Sequence, residues 1–600
     1  MFRGDPFACI SDDLLGVILR FVASNGNDFD STDSLANNED VLQKEVEDAL
    51  RKPPPCESQQ FGTTKVPPSE TCSLVTFSHA LVCKRWLRVA SSVHPAIIVP
   101  RDRFFSSQAF ASLLAPPKSK FPNLLHLHLG EFALDSMDSH LVRSICTGCG
   151  SSLTHLTMHL YDRRFSRSTQ HGRSRDHEQS TSLATSDVAT IFESCSRLVN
   201  LQLDGVQEIP AAISRLQQLT RLSVRLSEGV TGLPEEFGRL VGLKDLQFRS
   251  GRSFSTSPDP ICYLSSLERL TFSGSHIFHL PSNLGLLQNL KFISLMFLEE
   301  VSVLPDSICE LSSLLHLSLS HCPQLTRLPE NLHQLPNLDT LELNGLMTLA
   351  ALPESIGQLP ALQELYIHTC PRLTQLPGSL SASQALRRLT VDNCLDMVSL
   401  PEDIGLIASL QYLHLDSIDE LNMLPDSVGL LSGLKELIIF DCCELEGFPE
   451  SVSAMGSLTS LVLDGCAVST LPEDIGQLQN LTFMKLSCSG LMDLPESFGQ
   501  LGNLRELILH ACYDLAELPA SFSNLSSLET LEIYGAPYLE QLPPGFEKLP
   551  QLSRLELFNC AIGELPDEFG GLRNLKVFKI GTRDSYTRRG FDVDIFLTWS

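Results

Sequence analysis

Thiols are the residues of this 600-residue sequence best suited to chemistry. Eighteen cysteines are present, and Cys322, Cys370, Cys394, Cys442, Cys466, Cys512 and Cys560 recur at regular intervals, each eight residues after a leucine. Thiolates in such an array could ligate a soft metal or relay electrons. A further pair, Cys146-Thr-Gly-Cys149, has the spacing of half a zinc site. Both chemistries need more than spacing. The Cys-x-x-Cys pair has no second pair or neighbouring Cys/His set to complete a ligand shell, and its place ahead of Leu153 reads as a helix. The alternative to a reactive array is a set of small packing groups, and buried thiols are usually inert. No phosphate-binding Gly-x-x-x-x-Gly-Lys-Ser/Thr, dinucleotide Gly-x-Gly-x-x-Gly, His-Glu-x-x-His or Gly-x-Ser-x-Gly occurs. Histidines and carboxylates fall at repeat-phased positions that read as solvated. A non-catalytic protein without metal or cofactor is the expectation.

The element that positions the cysteines is the pattern Leu-x-x-Leu-x-Leu, as in Leu314, Leu317 and Leu319, then Leu338, Leu341 and Leu343. Seventeen such registers begin at residues 198, 219, 243, 267, 290, 314, 338, 362, 386, 410, 434, 458, 481, 504, 528, 552 and 575, and eleven of the sixteen intervals are 24 residues, four 23 and one 21. An apolar-Pro pair recurs in the gaps, as at Leu328-Pro329, Leu352-Pro353 and Leu471-Pro472, and only Ser257-Pro258 breaks it. Alternation in an extended strand sends the second and third leucines to one side and the residues flanking them to the other. One strand cannot bury its apolar side alone, so the next repeat must stack beside it in a parallel ladder. The proline, with a fixed φ and no amide donor, suits an extended or short-turn return segment. Gly357, Gly405, Gly476 and Gly499, at matching places, are expected to help the chain turn.

These residues resemble the leucine-rich-repeat family, and Leu352-Pro-Glu-Ser-Ile-Gly-Gln-Leu359 is similar to the intracellular plant type found in disease-resistance proteins. The resemblance implies an α/β leucine-rich-repeat solenoid, a curved parallel β-ladder of about 17 to 19 repeats, with the repeated cysteine in the turn after each strand. The flanking positions then face the concave side. Early repeats place Arg221, Arg225, Arg249 and Arg269 there, the middle repeats Tyr366, His368, Arg388, Tyr412, His414, Ile438 and Phe440, and the late repeats Glu532, Tyr534, Glu556 and Phe558. Aromatic residues and arginine are enriched at binding hot spots, which makes residues 366–440 the candidate centre for target recognition.

The regular repeats cover 198–580, with 581–600 as a C-terminal cap. Before them, 101–197 carries divergent repeats whose helical phrases are Ser139–Cys146 and Asp187–Cys195, interrupted by a Ser/Arg-rich loop at 161–186 that reads as disordered. The first hundred residues hold two amphipathic helices. One runs from Ser11, with Leu14, Leu15, Ile18 and Leu19 on one side; the other, Leu81-Val-Cys-Lys-Arg-Trp-Leu, carries Val82 and Trp86. They resemble the two halves of an F-box, although Ser11 stands where that family usually has proline and an Asn/Asp/Ser/Pro-rich insertion at about 24–72 separates them. The resemblance implies that Leu14, Leu15, Ile18, Val82 and Trp86 bind the small adaptor of a cullin-RING (SCF-type) ubiquitin ligase while the solenoid holds a target. The rival expectation is an intracellular scaffold or plant defence-type sensor with no ligase link, its first helices capping the open end of the repeats.

Composition limits the partners. A net charge of −27 repels phosphate backbones and anionic lipids over most of the surface, so protein partners are expected rather than nucleic acid or membrane. Apolar residues make up 43% of the chain, but no window approaches the about 18 consecutive apolar residues of a membrane span. The start reads as no secretory signal, and so many cysteines without one point to a reducing compartment, cytoplasm or nucleus.

Overall fold

The structure is a computed structural model that describes residues 96–99, 125–132, 139–160 and 184–581, apart from 228–229, 251–253, 255–256, 275–276, 564 and 566–568. The F-box-like residues Leu14, Leu15, Ile18, Val82 and Trp86, the 24–72 insertion and nearly all of the C-terminal cap lie outside the described residues. The chain divides into two compact units, the first running to Phe254 with Tyr263–Leu267 added, the second formed by Ser255–Cys262 and everything from Glu268.

In the first unit, β1 (Ala96–Val99), β2 (His126–Phe132), β3 (His155–Leu160), β4 (Asn200–Val206), β5 (Arg221–Leu226) and β6 (Asp245–Arg249) each pair in parallel with the next. Two helices return the chain between strands, α1 (Ser139–Cys149) and α2 (Thr185–Ser194), as the helical phrases predict. Spacing of three and four residues puts Val142, Ile145, Cys146 and Cys149 of α1, and Val188, Ile191 and Phe192 of α2, in the core. The Ser/Arg-rich loop ends earlier than the sequence suggests, because α2 already begins at Thr185 behind an extended Ala184.

Among the described residues the second unit is a ladder of fourteen parallel strands: β7 (Arg269–Ser273), β8 (Phe292–Met296), β9 (His316–Ser320), β10 (Thr340–Asn344), β11 (Glu364–His368), β12 (Arg388–Asp392), β13 (Tyr412–Asp416), β14 (Glu436–Phe440), β15 (Ser460–Cys466), β16 (Phe483–Cys488), β17 (Glu506–His510), β18 (Thr530–Ala536), β19 (Arg554–Cys560) and β20 (Val577–Gly581). Pairing is in register, so Leu317, Leu341, Leu365, Leu389, Leu413 and Leu437 form one buried row. Pro353 sits in extended conformation (φ −70°, ψ 145°) immediately before a short 3-10 turn, Glu354–Gln358, and its carbonyl accepts the Ile356 amide at 3.1 Å. The same arrangement recurs at Pro425, Pro449 and Pro495, which gives the recurring proline its role. In the late repeats these turns bury a column of stacked rings, Phe498, Phe522 and Phe546, with centroids 6.2 Å apart.

The glycines of these turns do something other than turn the chain. Gly357, Gly405, Gly476 and Gly499 are absent from the positive-φ positions. A Cβ at any of them would run into the carbonyl of a serine one repeat on: Ser379, Ser427, Ser497 and Ser521 respectively. They permit close approach of successive repeats. The hydroxyls of Ser427 and Ser497 also accept the Gly405 and Gly476 amides at 3.2 Å.

The left-handed conformation lies instead at the ends of the strands or just beyond them, seven residues after a repeat's first leucine. Phe297, His321, Thr369, Asn393, Ser417, Asp441, Ala511 and Asn559 have φ between 47° and 55°, and Gly345, Gly465 and Gly535 fill the same place in other repeats. The backbone gains a bond there, since the Thr369 amide donates to the Asp392 carbonyl at 2.8 Å and that of Asn393 to Asp416 at 2.9 Å. Strain at these residues is offset by continuing the ladder one position beyond the strand.

Candidate protein-binding face

Register converts the strands of the second unit into three rows on the side away from the leucine core. Arg388 and Tyr412 are neighbours in the first row, His414 and Ile438 in the second, with Tyr366 two strands before His414, and the third row carries His368, Asp392, Asp416 and Phe440 in succession. All seven residues singled out from the sequence are half-buried rather than fully exposed. Five of them contact neighbours within and between rows. The Arg388 guanidinium lies 4.1 Å from the centroid of the Tyr412 ring, a cation–π geometry worth roughly 0.5–1 kcal/mol at such a site. Tyr366 and His368 stack with centroids 6.1 Å apart, and the Tyr366 hydroxyl donates to Glu364 at 3.2 Å. His368 Nδ1 is 3.2 Å from Asp392 Oδ2, and His414 Nε2 is 4.0 Å from Asp416 Oδ2.

Sequence reasoning missed the acidic half of this arrangement. Glu364, Asp392 and Asp416 hold the aromatic and histidine side chains in place, and period-24 alignment of the carboxylates would have placed two of them beside the histidines. It also missed an aromatic group in the early repeats. Arg269 lies 5.2 Å from the Phe292 ring, Phe292 meets His316 at 6.3 Å, and Phe297 stacks on His321 at 4.9 Å.

The late repeats differ from expectation more sharply. Glu556 and Phe558, read as presented residues, are only 2% and 6% exposed. Tyr534 covers Phe558, with centroids 5.0 Å apart, and donates its hydroxyl to Glu556 at 2.5 Å. Lys579 and Arg554 meet the Glu556 carboxylate at 2.9 and 2.5 Å, and Arg554 also reaches Glu532 at 3.0 Å. Burial pushes the Glu556 carboxyl up, but the Tyr534 and Lys579 hydrogen bonds and the two cations outweigh it and hold the group below the usual glutamate range. A charge so enclosed belongs to the framework of the face, because removing one partner of a buried pair leaves the other uncompensated.

The cysteines behave as packing residues. Cys512 donates to the Leu486 carbonyl of the preceding repeat at 3.5 Å, and Cys466 and Cys322 reach the matching carbonyls of Ile439 and Leu295 at 3.9 Å. Burial pushes Cys322 and Cys370 up to about 11, and Cys394 to about 12. Cys149 is buried on α1, bonds the Ile145 carbonyl and is likewise pushed up to about 12 by burial. Thiols in this state are poor nucleophiles and poor ligands at neutral pH. Among the described residues no group of three or more His, Cys, Asp or Glu side chains could hold a metal ion, and no helix is long and apolar enough to cross a membrane.

The first unit carries a pH-sensitive pair on the corresponding row. His126 and His155, register partners on β2 and β3, stack with centroids 4.0 Å apart and planes 6° apart. Burial, then the charges of His126 and Arg221, lower His155 from 6.5 to about 4, and burial lowers His126 as well. The His155 ring stays neutral in the fold down to about pH 4 and takes up a proton when the chain unfolds in mild acid, and the lowered His126 acts in the same direction. Their contribution to stability is therefore complete above about pH 6.5 and is lost as pH falls toward 4. Urea unfolding of the first unit is expected to show its midpoint falling across that window, with a flatter profile for His155→Asn; equal slopes in the two proteins would show that the pair does not govern acid sensitivity.

Comparison with known proteins agrees with this repeat geometry. Residues 450–537 match the family model described as a leucine-rich repeat region. Among curated proteins none matches the sequence. Among solved structures, a leucine-rich-repeat protein of Leptospira interrogans is 23% identical, with 66% of this chain and 99% of that one covered at a TM-score of 0.46. A chain of the Drosophila Toll–Spatzle complex is 18% identical, with 66% of this chain and 56% of that one covered at a TM-score of 0.52. Strand register, return turns and the Toll–Spatzle likeness together give the fold of this chain, that of a leucine-rich-repeat solenoid.

Proposed function

We propose that this chain is a protein-binding receptor that holds a target on the open face of its second unit, centred on residues 366–440, and that it serves as the substrate receptor of an SCF-type cullin-RING ubiquitin ligase. The observation that carries the binding reading is the set of pre-stacked side chains on β11 to β14, with Arg388 over Tyr412 and Tyr366 beside His368. Side chains already held by neighbours lose little freedom on binding, and these residue types dominate interface energetics. The Toll–Spatzle complex, one chain of which this fold is similar to, is itself a protein–protein complex, which supports a protein as the ligand.

The ligase reading rests on the resemblance of the Leu14, Leu15 and Ile18 segment and the Val82 and Trp86 segment to the halves of an F-box. The fourteen described cysteines are free thiols, in keeping with the cytoplasm or nucleus, where such ligases work. Affinity purification of the full chain tests the reading. Adaptor and cullin should be recovered with it, and charged replacements at Leu14, Ile18 and Trp86 should remove both while the target is retained. Recovery of a target alone by the wild-type chain would replace this reading with that of a scaffold or sensor.

A further inference from the structure

At the position just before each repeat's first leucine, four asparagines of the second unit share one task. Asn337, Asn480, Asn503 and Asn574 donate their side-chain amides to the carbonyls of Ser312, Gly456, Gln479 and Pro550, one repeat back, at 2.8, 2.7, 2.7 and 2.5 Å. These bonds cover the backbone along the edge where the chain enters its strands. Single or paired repeats elsewhere lack this asparagine, at Ser313 and at Ser527 with Gln551, but between Asn337 and Asn480 five successive repeats lack it. The intervening repeats have Ala361, Ala385, Ser409, Gly433 and Ser457 there, and Ser409 turns to the nearer Leu386 carbonyl at 2.8 Å. Alanine and glycine have no donor, so the backbone beneath them is left uncovered. At Gly433 a Cβ would lie 2.8 Å from the Ala408 carbonyl oxygen, so that oxygen faces the space the missing side chain leaves. The result is a groove of about 1130 Å³ that runs from Ala361 to Thr482.

Charge marks the same stretch independently. The next column, two residues further on, carries cations that are paired with carboxylates outside the groove: Lys291 with Glu268 at 2.9 Å and Arg505 with Glu529 at 3.3 Å. Inside it, Arg387 stands between Gln363 and Gln411, and Lys435 between Gln411 and Thr459, so the repeats on either side offer no carboxylate in that column. Among the described residues Lys435 bonds the neutral Gln411 amide oxygen, at 3.0 Å, and no carboxylate. No Asp or Glu is among the residues that line the groove, in a chain whose net charge is −27. Both cations are exposed.

We propose that this edge groove binds an extended acidic peptide, at a site separate from the open face. Five repeats at roughly 4.8 Å span about 24 Å, the length of about seven residues of extended chain. Its amides would meet the carbonyls that asparagine covers elsewhere. Its carboxylates would pair with Arg387 and Lys435, two repeats or roughly 10 Å apart, a distance matched by acidic residues two to four positions apart. The polar lining of Gln363, Gln384 and Gln411 suits main-chain hydrogen bonding and offers little to an apolar helix.

The test uses the full chain and a fluorescent eight-residue peptide of alternating Glu and Ala, titrated by anisotropy at low salt. Binding is expected, with a peptide of Gln and Ala at least about tenfold weaker and 0.5 M salt weakening the acidic peptide strongly. Arg387→Glu with Lys435→Glu should abolish it, whereas Lys291→Gln with Arg505→Gln should leave it unchanged. Restoring asparagine with Ala361→Asn and Ala385→Asn should weaken binding about tenfold or more without lowering thermal stability, since asparagine already occupies this place at Asn289, Asn337, Asn480, Asn503 and Asn574. The proposal is overturned if the acidic peptide does not bind, if the Gln peptide binds as well, or if the charge-reversed chain binds like wild type. A single-stranded oligonucleotide held by Arg387 and Lys435 where the peptide is not would overturn it in favour of a nucleic-acid ligand.

Discussion

Leu365→Ala is expected to destabilise the second unit by about 2–5 kcal/mol, read as a fall in the denaturant midpoint at unchanged fold. The side chain is fully buried, and the ladder fixes its surroundings on both sides: Leu341 on one strand and Leu389 on the other are its register partners. A cavity here cannot close by local collapse, because moving either neighbour breaks hydrogen bonds that run the length of the sheet. Tyr366→Ala, one residue on and facing the other way, is expected to cost about 1 kcal/mol or less, since it gives up a stacking contact with His368 and a hydrogen bond to Glu364 but leaves no enclosed hole. The contrast between adjacent residues isolates burial from position in the chain. If Leu365→Ala cost no more than Tyr366→Ala, the close packing ascribed to the leucine rows would be wrong. Because a ladder of repeats melts by neighbour-to-neighbour coupling, the loss is best read with probes on more than one repeat.

How far such contrasts could be foreseen depends on what repetition encodes. The leucine period locates each strand of the regular repeats, and alternation assigns its two faces, so Leu365 as core and Tyr366 as surface followed from the sequence. Six of the seven regular cysteines are buried, as the family resemblance implies, and Cys560 is partly exposed. Depth within the outer face was not legible. Whether Phe558 is open or covered depends on Tyr534, 24 residues earlier, and whether Glu556 is solvated depends on Arg554, Tyr534 and Lys579 together. These are lateral contacts between neighbouring strands, which a search for the repeating leucines averages away. The left-handed residues at or just beyond the strand ends were hidden because Thr369 and Asp441 are not the glycines that usually announce that conformation. Conversely, Gly357 and Gly405 looked like turn glycines and prove to be contact glycines, a distinction that only the position of the next repeat can make. The edge groove did have a signal, the replacement of asparagine by alanine or glycine in one column at Ala361, Ala385 and Gly433, but it shows only when the repeats are read down a column rather than along the chain.

Tyr412→Ala is expected to weaken target binding by about thirtyfold or more, the effect of losing a centrally placed anchor worth about 2 kcal/mol. Removing the ring has two consequences on the open face. It takes away the aromatic surface itself, and it frees the Arg388 guanidinium that lies 4.1 Å from its centroid. A freed arginine regains rotamer entropy that it must lose again on binding, so the pair acts as a unit. Arg388→Ala and Tyr412→Ala together should then weaken binding by less than the product of the two single effects, because the second change removes a contact already broken by the first. Phe440→Ala and Tyr366→Ala probe the edges of the same patch and should weaken binding less than Tyr412→Ala, since anchors cluster at interface centres. Affinity measured against the protein recovered with the wild-type chain decides the matter, with thermal melting as the control for folding. If all four variants bind that partner as tightly as wild type, the target sits elsewhere on the chain. If Arg388 and Tyr412 contribute independently, their stacking is a feature of the free protein alone, and the ordering of side chains on β12 and β13 does not explain recognition.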